Sequence, residues 1–364
     1  MYDINNYIFS KDDTIGKGSF SKVYLGKNII NNKKVAIKII NIHKCNKILD
    51  INKEINILKS IDHINIVNLE ESIINNNKLY IVLEYCPLGD LNKFFNKVAV
   101  KEIYVKYYAK QIIDGLLYLS SKNIMHRDIK PHNILLKNIY TIKLTDFGFA
   151  KYYDNTIDMS TTLCGSPIYM APEIMKLKTY NYKADIWSLG VVLYELLFNE
   201  YPFIARNHFE LVKIIEQNEV KFLDYPIISD DCNKFISLLL NKNPIKRPSY
   251  YDIINHSWLI NNSSIKKLKE SSTYQLYNEF IVNDSSSCES ISDNNSCTSS
   301  RSNNNNEIFE FDDEDNFKTI ELSKNDDYVI VDNNEHNDIN ITKTTVLTYS
   351  FHDIYQKFID NYFK

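Results

Sequence analysis

The chain has 364 residues, of which 44% are hydrophobic and 24% are charged, and its formal net charge is −4. This composition excludes wholesale disorder, a collagen-like repeat and a coiled coil, and the charge provides no overall basic field for nucleic acid. The length is sufficient for a large buried core. All eight glycines lie between residues 16 and 190, so we expect them at positions where a side chain cannot fit.

The six cysteines form no Cys-x-x-Cys pair and no zinc-type spacing with histidine. This pattern is typical of a reduced compartment and predicts an intracellular, cytoplasmic protein. The N-terminal residues lack the basic and apolar regions of a signal peptide. The longest apolar stretch, 186–198, contains Ser188 and Glu195 and is too short to span a bilayer, which predicts a buried helix and no membrane span.

The first part of the chain is rich in strand-forming residues. Val, Ile and aromatic residues concentrate in three segments, at 9–25, 33–41 and 79–83. They predict β-strands, with an antiparallel hairpin at the start, and the spacing of apolar residues at 51–58 predicts one helix between them. From about residue 90 onward helical periods dominate. The predicted fold class is therefore α+β, with a small antiparallel β lobe that carries one helix and a large, mainly helical lobe.

A glycine-rich turn lies within the first strand segment. Its residues are Ile15, Gly16, Lys17, Gly18, Ser19, Phe20, Ser21, Lys22 and Val23. A dinucleotide-binding loop would open a helix, whereas the residues after this turn continue as a strand, so that interpretation fails. Such a turn can place backbone N–H groups over a polyphosphate and Val23 over an adenine face. An ordinary hairpin turn remains the alternative for this segment taken by itself.

A lysine on the following strand needs an anionic partner if it points inward. Lys38 ends the run Val35-Ala36-Ile37-Lys38 in the second strand segment. An unpaired buried ammonium group is costly, and Glu54 on the predicted helix can supply the opposite charge.

Three motifs follow in order along the chain. They are His126-Arg127-Asp128-Ile129-Lys130-Pro131-His132-Asn133, Thr145-Asp146-Phe147-Gly148 and the segment Gly165-Ser166-Pro167 through Ala171-Pro172-Glu173. With the glycine-rich turn and Lys38, they resemble the catalytic loop, metal-binding loop and peptide-positioning segment of eukaryotic-type serine/threonine protein kinases. The resemblance covers residues 7–260. It implies a two-lobed kinase fold and transfer of the ATP γ-phosphate to protein Ser or Thr hydroxyls.

The resemblance implies a role for each matching residue at the phosphates. Asp128 would align the substrate hydroxyl or accept its proton, and Lys130 would neutralise the γ-phosphate. Asn133 and Asp146 would hold Mg²⁺, with Mn²⁺ as an alternative, because hard cations prefer oxygen ligands. Lys38, steadied by Glu54, would bind the α- and β-phosphates.

The adenine end of the implied ATP site lies around the third predicted strand. Ala36, Glu84 and Cys86 would bind the nucleotide together with the glycine-rich turn, and Glu84 to Cys86 would offer backbone donors and acceptors to the base. Leu83 occupies the family's gatekeeper position.

The resemblance also implies regulation by phosphorylation. Arg127 precedes Asp128, and in the family this arginine pairs with a phosphate on the activation segment. Thr162 occupies the matching position, so we expect its phosphorylation to order that segment through a charge-assisted pair with Arg127. An ordinary loop threonine is the alternative.

Several motifs are most similar to the autophagy-initiating branch of these kinases. They include Leu83-Glu84-Tyr85-Cys86, Thr162-Leu163-Cys164-Gly165-Ser166-Pro167 and Asp327-Tyr328-Val329-Ile330-Val331. Two other functions are alternatives to a protein kinase. A pseudokinase scaffold would have no chemical need for the complete set of site residues, and small-molecule kinases with a related core lack the Ala-Pro-Glu segment.

The region after residue 260 differs in composition from the rest. We expect a helical extension at 261–282, a disordered Ser/Asn-rich and acidic linker at 283–340, and a short amphipathic segment at 341–364. The linker carries 15 acidic and 3 basic residues, a net charge of −12, while the remaining chain carries +8. A solvated linker explains this asymmetry simply. Docking of 307–315 onto a basic surface, or a regulatory partner for the tail, is the alternative.

Overall fold

A computed structural model describes most of the first 260 residues. The described ranges are 1–18, 21–42, 48–96, 98–153 and 165–260, with two further pairs at 321–322 and 328–329, and without the side chains of 48–51. Ser19, Phe20, Thr162, most of the 261–340 region and the whole 341–364 segment lie outside the described residues, so the predictions made for them stay predictions.

The small lobe is a six-stranded antiparallel sheet in the order β1-β2-β3-β4-β6-β5. Its strands are β1 (Tyr2–Ile4), β2 (Tyr7–Lys17), β3 (Ser21–Asn28), β4 (Lys34–Asn41), β5 (Leu69–Asn75) and β6 (Lys78–Glu84). Alternation along β4 places Val35 and Ile37 in a buried cluster with Phe9 and Tyr24. Lys38 therefore lies on the opposite face, where helix α1 (Ile48–Ser60) carries Glu54.

The large lobe is mainly helical. Its elements are α2 (Leu91–Phe95), α3 (Glu102–Ser121), β7 (Ile124–Met125), β8 (Ile134–Asn138), β9 (Thr141–Leu144), β10 (Lys151–Tyr152), α4 (Pro172–Met175), α5 (Lys183–Phe198), α6 (His208–Gln217), α7 (Asp230–Leu239), α8 (Tyr250–Ile254) and α9 (Ser257–Ile260). Nearly every residue of α5 is buried, as its continuous apolar sequence predicts. Helices α3 and α7 pack directly against α5. The β8–β9 hairpin faces the small lobe, where Leu144 pairs with Ile66.

One hydrophobic core joins the two lobes. Ile57 and Leu58 of α1 belong to the same buried cluster as residues of α3, α5 and the β8–β9 hairpin. A main-chain bond from Val67 N–H to the Leu144 carbonyl (2.9 Å) adds a direct tie between the lobes. The predicted α+β, two-lobed fold is confirmed. None of the described helices combines the length and the apolar character that crossing a membrane requires.

A short ladder lies within the stretch predicted to be a disordered linker. Strand β11 (Glu321–Leu322) pairs antiparallel with β12 (Tyr328–Val329). At these four residues the structure differs from the expectation. Aromatic and β-branched residues such as Tyr328 and Val329 favour strand pairing. The prediction of disorder gave more weight to the acidic composition of the whole stretch.

Candidate active site

A lysine with two carboxylate neighbours lies between the lobes. Lys38 Nζ is 2.8 Å from Glu54 Oε1 and 3.0 Å from Asp146 Oδ1. Burial alone would lower the pKa of Lys38, but the charges of Asp146 and Glu54 outweigh it and hold that pKa above its ordinary value. The Lys38 charge in turn lowers the pKa of Asp146. The Lys38–Glu54 pair is the one that the sequence predicted, and Asp146 joins it to form a cluster of three residues.

A second cluster surrounds Asp128 on the large-lobe side of the cleft. Asn133 Nδ2 donates to Asp128 Oδ2 (2.7 Å) and to the Asp128 carbonyl (2.9 Å). Ser166 N–H donates to Asp128 Oδ1 (3.1 Å). Lys130 Nζ donates to Ser166 Oγ (2.6 Å) and lies 3.4 Å from Asp128 Oδ2. These bonds fix the Asp128 carboxylate in one orientation. The Asp128 side chain is almost fully buried.

Helix α5 anchors the loop that carries Asp128. Asp185 at the start of α5 accepts the N–H groups of His126 (2.9 Å) and Arg127 (2.8 Å). Arg127 and Asp146 both have left-handed backbone conformations, with φ of 69° and 63°. Such strain costs about 1–3 kcal/mol per non-glycine residue and persists only where neighbours impose it. For Arg127 the Asp185 carboxylate supplies that constraint.

His126 connects the two clusters. Its Nδ1 accepts the Asp128 N–H (3.3 Å), so Nε2 carries the proton and donates to the Thr145 carbonyl (3.0 Å). The ring also packs against the buried Phe147 at a centroid distance of 5.0 Å. The His126 ring therefore links the main chain at Asp128 to the main chain at Thr145, the residue before Asp146.

The oxygen donors present fit a divalent metal that arrives with a phosphate ligand. Because the Asn133 amide nitrogen donates to Asp128, the side-chain atom of Asn133 that can bind a cation is Oδ1. Thr145 N–H donates to the Asn133 carbonyl (3.0 Å), which places Asn133 beside the residue preceding Asp146. Within the described part of the chain, no group of three or more His, Cys, Asp or Glu residues could hold a metal by itself. Two protein oxygens plus phosphate oxygens are the donor set that Mg²⁺ commonly takes.

The glycine-rich turn is described except for its tip, Ser19 and Phe20. Gly16 pairs with Val23, and Lys17 pairs with Lys22, across strands β2 and β3. Like charges directly opposite each other are unfavourable, and an anionic group above the turn would relieve the repulsion. Ile15 is partly exposed at the start of the turn. Ser21 accepts the Gly18 N–H through its carbonyl (2.9 Å), so the base of the turn is closed.

Glu84 lies at the adenine end of the predicted site. Its N–H donates to the Asn68 carbonyl (2.9 Å), so a main-chain contact of Glu84 with the base would use its carbonyl as an acceptor. Its buried carboxylate binds Lys143 (2.8 Å) and Lys137 (2.5 Å). Burial would raise the pKa of Glu84, but bonds from these two lysines lower it.

Cys86 and Ala36 are the other two residues predicted at the adenine end. The carbonyl of Cys86 accepts the Gly89 N–H (3.3 Å), which leaves its N–H as the backbone donor at this edge. Burial, with a smaller contribution from Glu84, raises the pKa of the Cys86 thiol to about 12, so the thiol is protonated and unreactive. Ala36 pairs with Leu83 and shares the sheet face of Lys38.

Arg127 donates hydrogen bonds to two oxygen atoms of the large lobe. Its Nε donates to the Phe149 carbonyl (2.5 Å) and its Nη1 to the Tyr180 hydroxyl (3.0 Å). The guanidinium therefore lies at the start of the activation segment. Thr162, its expected partner after phosphorylation, is outside the described residues.

The segment that follows is fixed at both ends. Gly165 has a φ of 100°, and a Cβ there would lie 2.6 Å from the Arg127 carbonyl oxygen, so only glycine fits. At the other end Glu173 forms a doubly hydrogen-bonded ion pair with Arg247 (2.5 and 2.6 Å). Between them Ser166 contacts Asp128.

Three contributors were not foreseen in these roles from the sequence. Ser166 was noticed only as part of a motif, although it bonds both Asp128 and Lys130. Asp185 was not among the predicted site residues, yet it accepts hydrogen bonds from the loop that carries Asp128. Lys143 gave a usable signal, since a lysine in the otherwise apolar strand β9 needs a buried partner.

The fold and the two clusters have the arrangement of the protein kinase class: a cleft between two lobes, a paired lysine, two side-chain oxygen atoms suited to a metal ion and an oriented aspartate. The chain belongs to the protein kinase domain family, whose model matches residues 9–259.

Curated relatives agree with this assignment. Serine/threonine-protein kinase apg-1 of Neurospora crassa is 35% identical, over 68% of this chain and 31% of that protein. Serine/threonine-protein kinase ATG1b of Arabidopsis thaliana is 37% identical, over 76% of this chain and 40% of that protein. The atg1 kinase of Dictyostelium discoideum is 38% identical, over 73% and 41% respectively. These matches confirm the resemblance drawn from the motifs, and the chain spans about a third to two fifths of the length of these relatives.

Proposed function

We propose that this chain is a serine/threonine protein kinase that transfers the γ-phosphate of ATP, bound with Mg²⁺, to a hydroxyl of a protein substrate. The single observation that carries the proposal is the Asp128 cluster. There a carboxylate oriented by Asn133 and Ser166 lies beside the Lys130 ammonium group, at the start of the segment that would seat a peptide.

Nucleotide binding follows from the charges in the cleft. Lys38 would hold the α- and β-phosphates. Its ion pair with Glu54 would keep the ammonium group in place. Asp146 and Asn133 would hold the metal ion, which screens the negative charge of the triphosphate. The N–H groups of the glycine-rich turn and of Cys86 would contact phosphate and adenine.

Phosphoryl transfer then needs mainly orientation and charge neutralisation. The substrate hydroxyl oxygen forms a bond to Pγ as the bond from Pγ to the bridging oxygen breaks, and ADP leaves with the electron pair. Asp128 aligns the hydroxyl and takes up its proton. Lys130 stabilises the charge on the transferred group from the position in which it now bonds Ser166.

Regulation and partners are part of the same proposal. The Arg127 guanidinium lies at the start of the activation segment, and its bond to a phosphate on Thr162 would be charge-assisted. The acidic stretch 307–315 is a candidate regulatory segment on the strength of its charge alone.

One assay separates the proposed function from its alternatives. Wild type and Asp146→Asn are incubated with γ-labelled ATP and Mg²⁺, in parallel with a generic basic protein and with small hydroxylated metabolites. We expect label on protein only, and only with wild type. Equal labelling of protein by wild type and Asp146→Asn would indicate a contaminating kinase or a scaffold. Label confined to metabolites would indicate a small-molecule kinase. Asp224→Asn, an exposed position remote from the site, is the matched control.

A further inference from the structure

A tyrosine hydroxyl joins the start of the activation segment, which follows Asp146, to helix α1. Tyr152 lies in β10, and its hydroxyl oxygen is 3.0 Å from Oγ of Ser60, the last residue of α1. The Ser60 hydroxyl donates its own proton to the Ile57 carbonyl (2.8 Å). Because that proton is used, Tyr152 is the donor in the bond between the two hydroxyl groups. The bond therefore depends on the Tyr152 O–H group.

The backbone of Tyr152 is fixed to the large lobe. Tyr152 pairs with Ile124 across strands β10 and β7, and the N–H of Tyr153 donates to the Asn123 carbonyl (2.8 Å). Strand β7 leads directly into the loop that carries Asp128. The Tyr152 residue is 47% exposed, so removing its hydroxyl oxygen leaves no buried cavity. Tyr152 thus extends from the catalytic side of the cleft to α1.

The position of α1 determines where Glu54 lies. Ile57 and Leu58 bury the inner side of the helix in the core, but apolar contacts are non-directional and restrict its rotation and sliding less than a hydrogen bond does. Ser60 follows Glu54 by about 9 Å along the helix axis, at 1.5 Å per residue. Over that length a helix moves nearly as a rigid body. Holding Ser60 therefore limits the displacement of Glu54 from Lys38, its partner at 2.8 Å.

We propose that Tyr152 is a positioning residue for nucleotide binding: its hydroxyl holds the last turn of α1, and thereby holds Glu54 beside Lys38, while β10 is paired with β7. The proposal rests on the protein kinase function and specifies a residue that links the activation segment to the phosphate-binding lysine. Tyr152 acts through Ser60 and α1, and it is not one of the residues assigned to the nucleotide.

The expected effect is on the affinity for ATP. Without the Tyr152 hydroxyl, α1 samples more positions, and a smaller fraction of molecules has Glu54 at bonding distance from Lys38. A neutral hydrogen bond changes an equilibrium by about two- to ten-fold, and only part of that change is transmitted along the helix. We therefore expect Kd for ATP with Mg²⁺ to rise about three-fold. Once ATP is bound, its phosphates hold Lys38, so kcat at saturating ATP should stay at the wild-type value.

The test is a double-mutant cycle in the full chain, measured by equilibrium binding of a non-hydrolysable ATP analogue with Mg²⁺. Tyr152→Phe removes the donor, and Ser60→Ala removes the acceptor. Each single change should raise Kd for the analogue about three-fold. The double replacement should also raise it about three-fold, and not about nine-fold, because the same bond is lost in all three variants. Ser60→Thr keeps a hydroxyl acceptor and should bind the analogue as wild type does.

Two further measurements separate positioning from a general loss of structure. Tyr107→Phe removes a hydroxyl that donates to the Tyr140 carbonyl (2.9 Å) in the large lobe, and it should leave Kd for the analogue unchanged. In steady-state assays Tyr152→Phe should raise KM for ATP about three-fold, with kcat and KM for the peptide unchanged. A variant that is merely less stable would instead lose kcat, because fewer molecules are active, while Kd of the folded fraction stays the same.

A Kd for Tyr152→Phe equal to that of wild type would overturn the inference. A rise of about nine-fold in the double variant would overturn it too, because the two side chains would then act independently. Binding of the analogue by wild type without phosphorylation of any protein would instead contradict the proposed kinase function, and the binding cycle could still be measured. The two failures are therefore distinguishable.

Discussion

Asp128→Asn is expected to lower kcat for protein phosphorylation by about 10²- to 10⁴-fold, the range of a lost general base. Asparagine keeps the shape of the side chain and can still accept one of the hydrogen bonds from Asn133 and Ser166. It cannot take up the proton of the substrate hydroxyl, and it places an amide N–H₂ group where a carboxylate oxygen accepted a bond. Steady-state assays that vary ATP and peptide separately would measure the effect.

The same experiment has an internal control in nucleotide binding. Asp128 does not contact the Lys38 cluster, so KM for ATP should change by less than about three-fold, which corresponds to under 1 kcal/mol. Asp224→Asn repeats the chemical change at an exposed position and should match wild type. A kcat for Asp128→Asn within ten-fold of wild type would mean that Asp128 does not have the proposed role.

Glu173→Ala is expected to lower the free energy of unfolding by about 3–5 kcal/mol, because it leaves a buried arginine without its counter-charge. The Arg247 side chain is fully buried, donates two bonds to Glu173 and lies 5.1 Å from the Trp187 ring centroid. Its remaining bonds go to the neutral carbonyls of Asn241 and Lys183 and do not offset the charge. Urea unfolding would measure the loss.

A surface ion pair offers the matched comparison. Lys33 and Glu70 are also in contact, but the Lys33 side chain is half exposed. Glu70→Ala should therefore cost less than about 1 kcal/mol. The double replacement Glu173→Met with Arg247→Met should cost less than Glu173→Ala alone, because it removes both charges. A loss for Glu173→Ala no larger than that for Glu70→Ala would refute a stabilising role of the buried pair.

The parts of the site that the sequence predicted are those with local signals. Three local features each restrict the chemistry nearby: a glycine pair in a turn, a lysine in an apolar strand and an aspartate before Phe-Gly. The meeting of Lys38 with Glu54 was predicted because a buried ammonium group demands a partner and the next helix offers one. The same reasoning applied to Lys143 would have led to Glu84, whose carboxylate was instead overlooked in favour of its backbone.

Other contacts depend on the folded chain and leave no local trace. Ser166 is 38 residues from Asp128, and Tyr169 is 26 residues from Glu195, so only the tertiary structure brings these polar atoms together. Strand β1, Tyr2–Ile4, was not predicted because three residues are too few to establish a period.

The fold was predictable at the level of class because the two halves of the chain differ in periodicity. Strand-forming residues precede residue 90, and the nearly continuous apolar sequence of α5 requires burial on all sides. The lobes are joined by pairs such as Val67 with Leu144, which no local pattern indicates. The two-lobed arrangement was predicted from the resemblance of the motifs to a known family.

The central claim is best tested by identifying the phosphorylated atom. Four peptides that differ only in having Ser, Thr, Tyr or Ala at the acceptor position are incubated with wild type, ATP and Mg²⁺, and the products are mapped by mass spectrometry alongside ADP release. The account predicts a phosphoester on the Ser and Thr peptides, matched by equal ADP, and none on the Ala peptide. Phosphate found only on tyrosine, or ADP formed without any phosphopeptide, would contradict it.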